Sequence, residues 1–193
     1  MGLFSNHMNS IHVAHHKDTA GSAIVQMPVP EKVYISMSQH IGKPCQPVVA
    51  KGDHVKVGQL IGDVDAFISA PIYSSVSGDV VAIEEARSAL GGIDKYVIIA
   101  ADGQQEPYEG LAVPQCETRD DFIKAVRASG VVGLGGASFP THVKLNPANI
   151  DECDTLIVNC AECEPFITSD HRNMLEHTDD IVSGIKLIMK YLD

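Results

Sequence analysis

The sequence predicts a multi-domain α+β chain: a β-rich domain over residues 30–102, then the first half of an α/β domain over residues 118–193. Three observations carry this. Between Val33 and Ala101 apolar residues alternate and glycines fall at turns, the pattern of short strands joined tightly. From Thr118 onward the apolar period changes from two to the helical 3.6. A run with a continuous apolar centre, Thr155-Leu156-Ile157-Val158-Asn159, then reads as a strand buried on both faces of a parallel sheet.

Residues 1–29 form a polar arm carrying His7, His12, His15 and His16 and ending in the extended, proline-bounded Met27-Pro28-Val29-Pro30. The histidines allow a metal site or a solvated arm, and composition favours the arm. In the β-rich stretch, Lys51 to Gly62 places Gly52, Gly58 and Gly62 at turns around alternating apolar residues. A second turn and strand of the same style follow in Ala70-Pro71-Ile72 and Ser77 to Ile83. This pattern is similar to the barrel-sandwich hybrid fold of biotinyl and lipoyl carrier domains. Carriers need a lysine on the hairpin between the two halves, because its amine is the acylation point. Here that hairpin reads Asp63-Val64-Asp65-Ala66-Phe67, with Ala66 near the lysine position, so the scaffold is expected without carrier chemistry.

Residues 103–117, opening with Gly103-Gln104-Gln105-Glu106-Pro107, read as a polar linker. Thr118 caps the next helix, with Asp121 completing a capping box. Phe122, Ile123 and Val126 form its apolar stripe and Gly130 stops it. A last helix follows Thr178, with Ile181, Val182, Ile185, Ile188, Met189 and Leu192 on one side.

Composition bounds the functions available. With 45% hydrophobic and 20% charged residues in 193, a core can be buried. The net charge of -11, from 14 Lys+Arg against 25 Asp+Glu and without a basic cluster, argues against nucleic acid as a partner. The longest apolar run, Tyr96 to Ala101, falls far short of the roughly 20 residues of a spanning helix. Met1 to His16 lacks the basic and apolar regions of a secretory signal, so a cytoplasmic protein is expected, reaching a membrane only through a partner. Five cysteines, an odd number, argue for reduced thiols.

Two motifs carry chemistry. In Gly133-Leu134-Gly135-Gly136-Ala137-Ser138-Phe139-Pro140-Thr141-His142-Val143-Lys144, close glycines let backbone amides approach a phosphate, and a helix beginning near Pro140 adds its positive end. It is not a dinucleotide fingerprint, since Ser138 stands at the third glycine and no strand precedes the loop closely. A tight loop between helices is the alternative. The second motif, Asn159-Cys160-Ala161-Glu162-Cys163-Glu164-Pro165-Phe166-Ile167-Thr168-Ser169-Asp170-His171-Arg172, starts at the carboxyl end of the expected strand, where open α/β sheets bind ligands. Asn159 offers a donor and an acceptor, and Glu162 and Glu164 offer acceptors. The alternative is a strand-end loop with Asp170 capping the following helix. Cys153, Cys160 and Cys163 allow a cluster or zinc, but a fourth ligand is missing and the spacing fits no standard iron–sulfur run. Structural thiols are the expectation, and no metal ligand is assigned.

Together, in this order, the motifs resemble a known pair. The Gly-Gly-Ala-x-Phe-Pro-Thr loop ending in lysine, followed by Asn-x-x-Glu-x-Glu-Pro, is shared by the NADH-binding flavoprotein subunit of respiratory complex I and by RnfC of the Rnf electron transport complex. The wording Glu162 to Pro165 and Thr168 to Arg172 resembles the Rnf family more. Cobalamin reductases share the flavin motifs but place the barrel-like domain after them. Here Ser38-Gln39-His40-Ile41-Gly42 and the barrel come first. The resemblance covers residues 11–193.

It implies FMN as cofactor and NADH as substrate. Gly133, Gly135, Gly136 and Lys144 would hold the FMN phosphate and ribityl, Asn159 and Glu162 would contact the flavin, Phe139 would stack on the NADH adenine, and Glu164 would meet the nicotinamide side, with Glu162 and Glu164 as the catalytic candidates. It further implies an electron-transfer subunit of an ion-translocating NADH:ferredoxin oxidoreductase, peripheral on the cytoplasmic side of the membrane. Its partners would be the other Rnf subunits and, indirectly, ferredoxin. The [4Fe–4S] clusters would lie in a C-terminal region that these 193 residues do not contain, so the chain alone is expected to be inactive and to bind FMN poorly. Non-enzymatic docking within such a complex, or a cobalamin-reductase-like flavoprotein, are the rival readings. The chain departs from the family at Ser138, which replaces a glycine where positive φ would cost a side-chain-bearing residue about 1 kcal/mol or more. Ala161 and Pro147 replace an aspartate and an aromatic of the complex I flavoprotein.

Overall fold

The computed structural model describes residues 13–88 and 91–192, in two compact units. His7 and His12 lie outside the described residues.

The larger unit, Met27–Asp154 with Met189–Asp193, is built on two antiparallel sheets. Strands β1 (Lys32–Ser36), β7 (Ile93–Ala101), β6 (Gly78–Arg87) and β3 (His54–Val55) lie in that order in one sheet. Strands β2 (Gln46–Pro47), β4 (Leu60–Asp63) and β5 (Ile72–Tyr73) make the other. Four strands are as short as the turn glycines Gly52 and Gly58 predict, but Gly62 lies within β4, paired with Pro47 and Ile72, and not at a turn. Strands β6 and β7 instead form a long hairpin, paired from Gly78↔Ala101 to Arg87↔Ile93. The apolar run of Tyr96 to Ala101 thus forms most of β7. Val97 and Ile99 are wholly buried, among Ile35, Met37, Val55, Ile61, Ile72, Val76 and Val80. Each such side chain contributes about 1.5–3 kcal/mol of apolar burial. Gly78 is obligatory, because at φ 153° a Cβ would strike the backbone carbonyl of Ala100.

Residues 103–111, expected as linker, run back over the barrel. The Val57 N–H donates to Glu106 O and the Tyr108 N–H donates to Val57 O, both at 2.9 Å, and Lys56 pairs with Glu106 at 2.8 Å and with Glu109. Helix α1 (Arg119–Ala128) then forms with the capping box of Thr118 and Asp121, burying Phe122, and Gly130 ends it at φ 71°. Hydrogen bonds to Thr118 hold the Asp121 carboxyl below its usual range. A four-residue turn, α2 (Thr141–Lys144), and a 3₁₀ turn, Ile150–Glu152, complete the unit. Tyr191 stacks on Phe122, with centroids 4.8 Å apart.

The smaller unit comprises the described part of Met1–Gln26 with Thr155–Ile188. It corrects two expectations. Thr155 to Asn159 is not a buried strand: no strand is assigned there, and Ile157 is 82% exposed. A β segment needs a neighbouring strand to complete its ladder, and none of the described strands forms a ladder with this one. The arm is also not free in solvent, since residues 15–24 pack along residues 164–176. Helices α3 (Ser169–Glu176) and α4 (Thr178–Leu192) follow. On α4, Ile181, Ile185, Ile188 and Leu192 are half-buried, whereas Val182 and Met189 of the expected stripe are exposed. No described helix is long and apolar enough to cross a membrane.

Candidate functional site

The glycine motif forms a closed loop at the C-terminal side of α1. Val132 bridges Pro140 antiparallel, the Gly133 N–H donates to Phe139 O at 2.9 Å, and Thr141 N–H donates to Val131 O at 3.1 Å. This clasp pushes the loop tip outward, and Leu134 is 92% exposed. The N–H groups of residues 134–138 donate to no described acceptor. A Cβ placed on Gly135 or Gly136 would meet nothing within 4 Å, so the approach to those amides is open. On Gly133 a Cβ would instead stand 3.2 Å from the Lys144 Nζ. Lys144 is exposed and makes no ion pair among the described residues, although the chain carries a net charge of -11. Free amides, open space and an unpaired ammonium suit a phosphate group, which needs several donors and a positive charge at close range. The expected helix near Pro140 exists, but with four residues it adds little dipole beside the Lys144 charge. Ser138 takes φ 50°, the left-handed conformation that a glycine would adopt without cost.

Sequence reading missed what holds this loop. Arg127, in the last turn of α1, donates from Nη2 to Asp63 Oδ1 at 3.0 Å, to Val64 O at 3.2 Å and to Ser69 Oγ at 3.4 Å. The Tyr73 hydroxyl donates to Ala128 O, and Gly130 approaches so closely that a Cβ there would lie 2.6 Å from Pro71 O. The hairpin that presents the acylated lysine in carrier domains therefore seats α1. His142, two residues before Lys144, is buried, and its Nδ1 has no partner among the described residues. Burial, reinforced by the nearby Arg127 charge, lowers its pKa. The only local signs were a basic residue in a last helical turn and a histidine beside the motif lysine. Cys45 is also buried, and desolvation pushes its thiol up to about 11, so it is no nucleophile at neutral pH.

The other candidate residues fall in the smaller unit. Asn159 Oδ1 accepts from the Ala161 N–H at 3.0 Å, an Asx turn. Glu162 Oε1 accepts from the Asp170 and His171 N–H groups at 2.8 and 3.1 Å, so Glu162 caps α3 and Asp170 does not. Asp170 lies inside the first turn, where its own amide needs an acceptor. The Glu164 side chain is exposed, and its carboxylate takes no hydrogen bond among the described residues. Cys153 and Cys163 are exposed and Cys160 is half-buried. No group of three or more metal-binding side chains occurs among the described residues. Gly133, Gly135, Gly136, Phe139 and Lys144 thus belong to one compact unit, and Asn159, Glu162 and Glu164 to the other.

Comparison with known proteins decides the family. Residues 6–104, just over half of the chain, match the family described as the RnfC barrel sandwich hybrid domain. The chain belongs to the RnfC family. Residues 126–193 match the Nuo51 FMN-binding domain, a stretch that begins just before Arg127 and includes the glycine loop and the Asn159 motif. The RnfC relatives agree over nearly the whole sequence. The RnfC protein of the proton-translocating ferredoxin:NAD(+) oxidoreductase complex of Clostridium ljungdahlii is 45% identical over 92% of this chain and 39% of its own length. Its counterpart in the Na(+)-translocating complex of Acetobacterium woodii is 44% identical over 83% of this chain and 37% of its own. That of the ion-translocating oxidoreductase complex of Rhodobacter capsulatus is 36% identical over 94% and 36%. The chain thus spans less than two-fifths of the length of each of these RnfC relatives. The resemblance to the family is confirmed, and so is the order of barrel before flavin region.

Proposed function

We propose that this chain is the barrel and flavin-entry region of an RnfC protein that oxidises NADH on FMN within an ion-translocating ferredoxin:NAD(+) oxidoreductase complex. The observation that carries this is the unpaired Lys144 ammonium over Gly133, beside five free amides, inside the stretch that matches an FMN-binding domain. Lys144 and the amides of residues 134–138 bind the FMN phosphate electrostatically. Asn159 and Glu162 meet the flavin, Phe139 stacks on adenine, and Glu164 orients the nicotinamide side. Bound FMN supplies the two-electron to one-electron conversion that links hydride donors to single-electron carriers. Orientation of the two rings and exclusion of water are the tasks of the protein.

Onward transfer in the whole protein runs to [4Fe–4S] clusters in the further length of the relatives, and from there towards ferredoxin through the other subunits. The protein sits peripherally on the cytoplasmic side of the membrane. Residues 30–102 act as barrel, 103–117 as connector and 118–193 as flavin region. By themselves the 193 residues hold FMN weakly and do not turn over, because two loops offer few contacts against the entropy lost on binding. Lys144→Ala in the full-length protein tests the reading. Flavin content and NADH oxidation should fall together, and unchanged values of both would remove the assigned phosphate role.

A further inference from the structure

In the smaller unit, the N-terminal segment is bound to the Glu164 motif by contacts that span about 150 residues of sequence. Lys17 Nζ donates to Glu164 O at 2.8 Å and to Ile167 O at 2.7 Å. The Phe166 N–H donates to His15 O at 2.9 Å, and the His16 ring stacks on the Phe166 ring at 5.0 Å. Thr19 Oγ1 meets the buried Thr168 Oγ1 at 2.7 Å, and Arg172 donates from Nη1 to Ala20 O at 3.0 Å. Between the two carbonyls that Lys17 holds, Phe166 adopts φ 71°, which a side-chain-bearing residue keeps only when its surroundings enforce it.

The charge on Lys17 is thus spent on two main-chain carbonyls, with no carboxylate partner among the described residues. An ammonium has three donors on a flexible stem and can close a turn by joining carbonyls that point the same way. The Glu164 carboxylate takes no hydrogen bond of its own among the described residues, so its place is set by the backbone that Lys17 fixes.

We propose that Lys17 is a positioning residue for the NADH reaction: its ammonium holds the Glu164–Ile167 turn and thereby places the Glu164 carboxylate. This rests on the assignment of Glu164 to the nicotinamide side. The test compares Lys17→Met, Lys17→Arg and Thr19→Val in the full-length protein within its complex, by steady-state kinetics, flavin content and amide hydrogen exchange of Glu164 and residues 166–168. Lys17→Met should speed exchange of those amides and raise KM for NADH about threefold to tenfold, the effect of losing one charge-assisted contact, with kcat less affected and flavin content unchanged. Lys17→Arg should restore most of KM. Thr19→Val, which leaves the lysine in place, should shift both readouts in the same direction by less, and it keeps the test open if Lys17→Met does not fold. Unchanged exchange in Lys17→Met overturns the clamp. Faster exchange with unchanged KM overturns its role in the reaction. Glu164→Gln measured alongside separates the two ideas: an unchanged KM there sinks the assignment of Glu164, and the clamp is then judged on exchange alone.

Discussion

Arg127 Nη2 lies 3.0 Å from Asp63 Oδ1, and through this pair the helix that precedes the glycine loop is fastened to the barrel hairpin. The same guanidinium nitrogen reaches Val64 O and Ser69 Oγ, so its loss removes one donor group shared by three acceptors. Both charged side chains are about one-third exposed, which limits the electrostatic share, and the hydrogen bonds decide the magnitude. Arg127→Ala is therefore expected to cost about 1–2 kcal/mol, read as a lower midpoint in chemical denaturation with an unchanged slope. Lys at this position should recover only part, because it lacks the planar fork.

His142 makes stability depend on pH. Its pKa is lowered from 6.5 by burial, with Arg127 adding to the effect. Between the folded and unfolded pKa values the unfolded chain binds more protons, so stability rises with pH there. It should be level above about pH 6.5 on this account and fall as pH drops below it. Thermal midpoints of wild type and His142→Gln across pH 5 to 8 check this. The wild type should lose more on acidification, and parallel curves would remove His142 as the cause.

Ser138 holds the glycine loop in a left-handed conformation at φ 50°. Ser138→Gly removes strain of about 1 kcal/mol while adding freedom to the unfolded chain, so a gain of about 0.5 kcal/mol in unfolding free energy is expected. A loss on substitution would mean that the hydroxyl makes a contact worth more than the strain.

Much of this architecture was legible because it is local. The capping box of Thr118 and Asp121, the stop at Gly130 and the glycine turns of the barrel each depend on residues a few positions apart. The β6–β7 hairpin was less legible, since a run such as Tyr96 to Ala101 reveals a strand but not its partner. Thr155 to Asn159 has the composition of a buried strand, and composition cannot supply the neighbouring strand that it needs. The supports of the candidate site were the least legible. Lys17 meets Glu164 across 147 positions and Arg127 meets Asp63 across 64, and no periodicity announces either. Glu162 capping α3 was hidden for a different reason: the motif suggests its carboxylate as an acceptor for a ligand, whereas in this structure the orphan amides of Asp170 and His171 donate to its Oε1.

The central claim is that Lys144 and the amides around Gly135 and Gly136 bind a phosphate, and comparing flavins with and without that phosphate tests it most directly. Affinities of FMN and riboflavin would be measured by fluorescence quenching for the full-length apoprotein and for its Lys144→Ala variant. The wild type should prefer FMN, and Lys144→Ala should lose about tenfold or more of FMN affinity while riboflavin affinity stays within about twofold, so the preference collapses. Equal losses for both flavins, or an FMN preference that survives the substitution, would contradict the account.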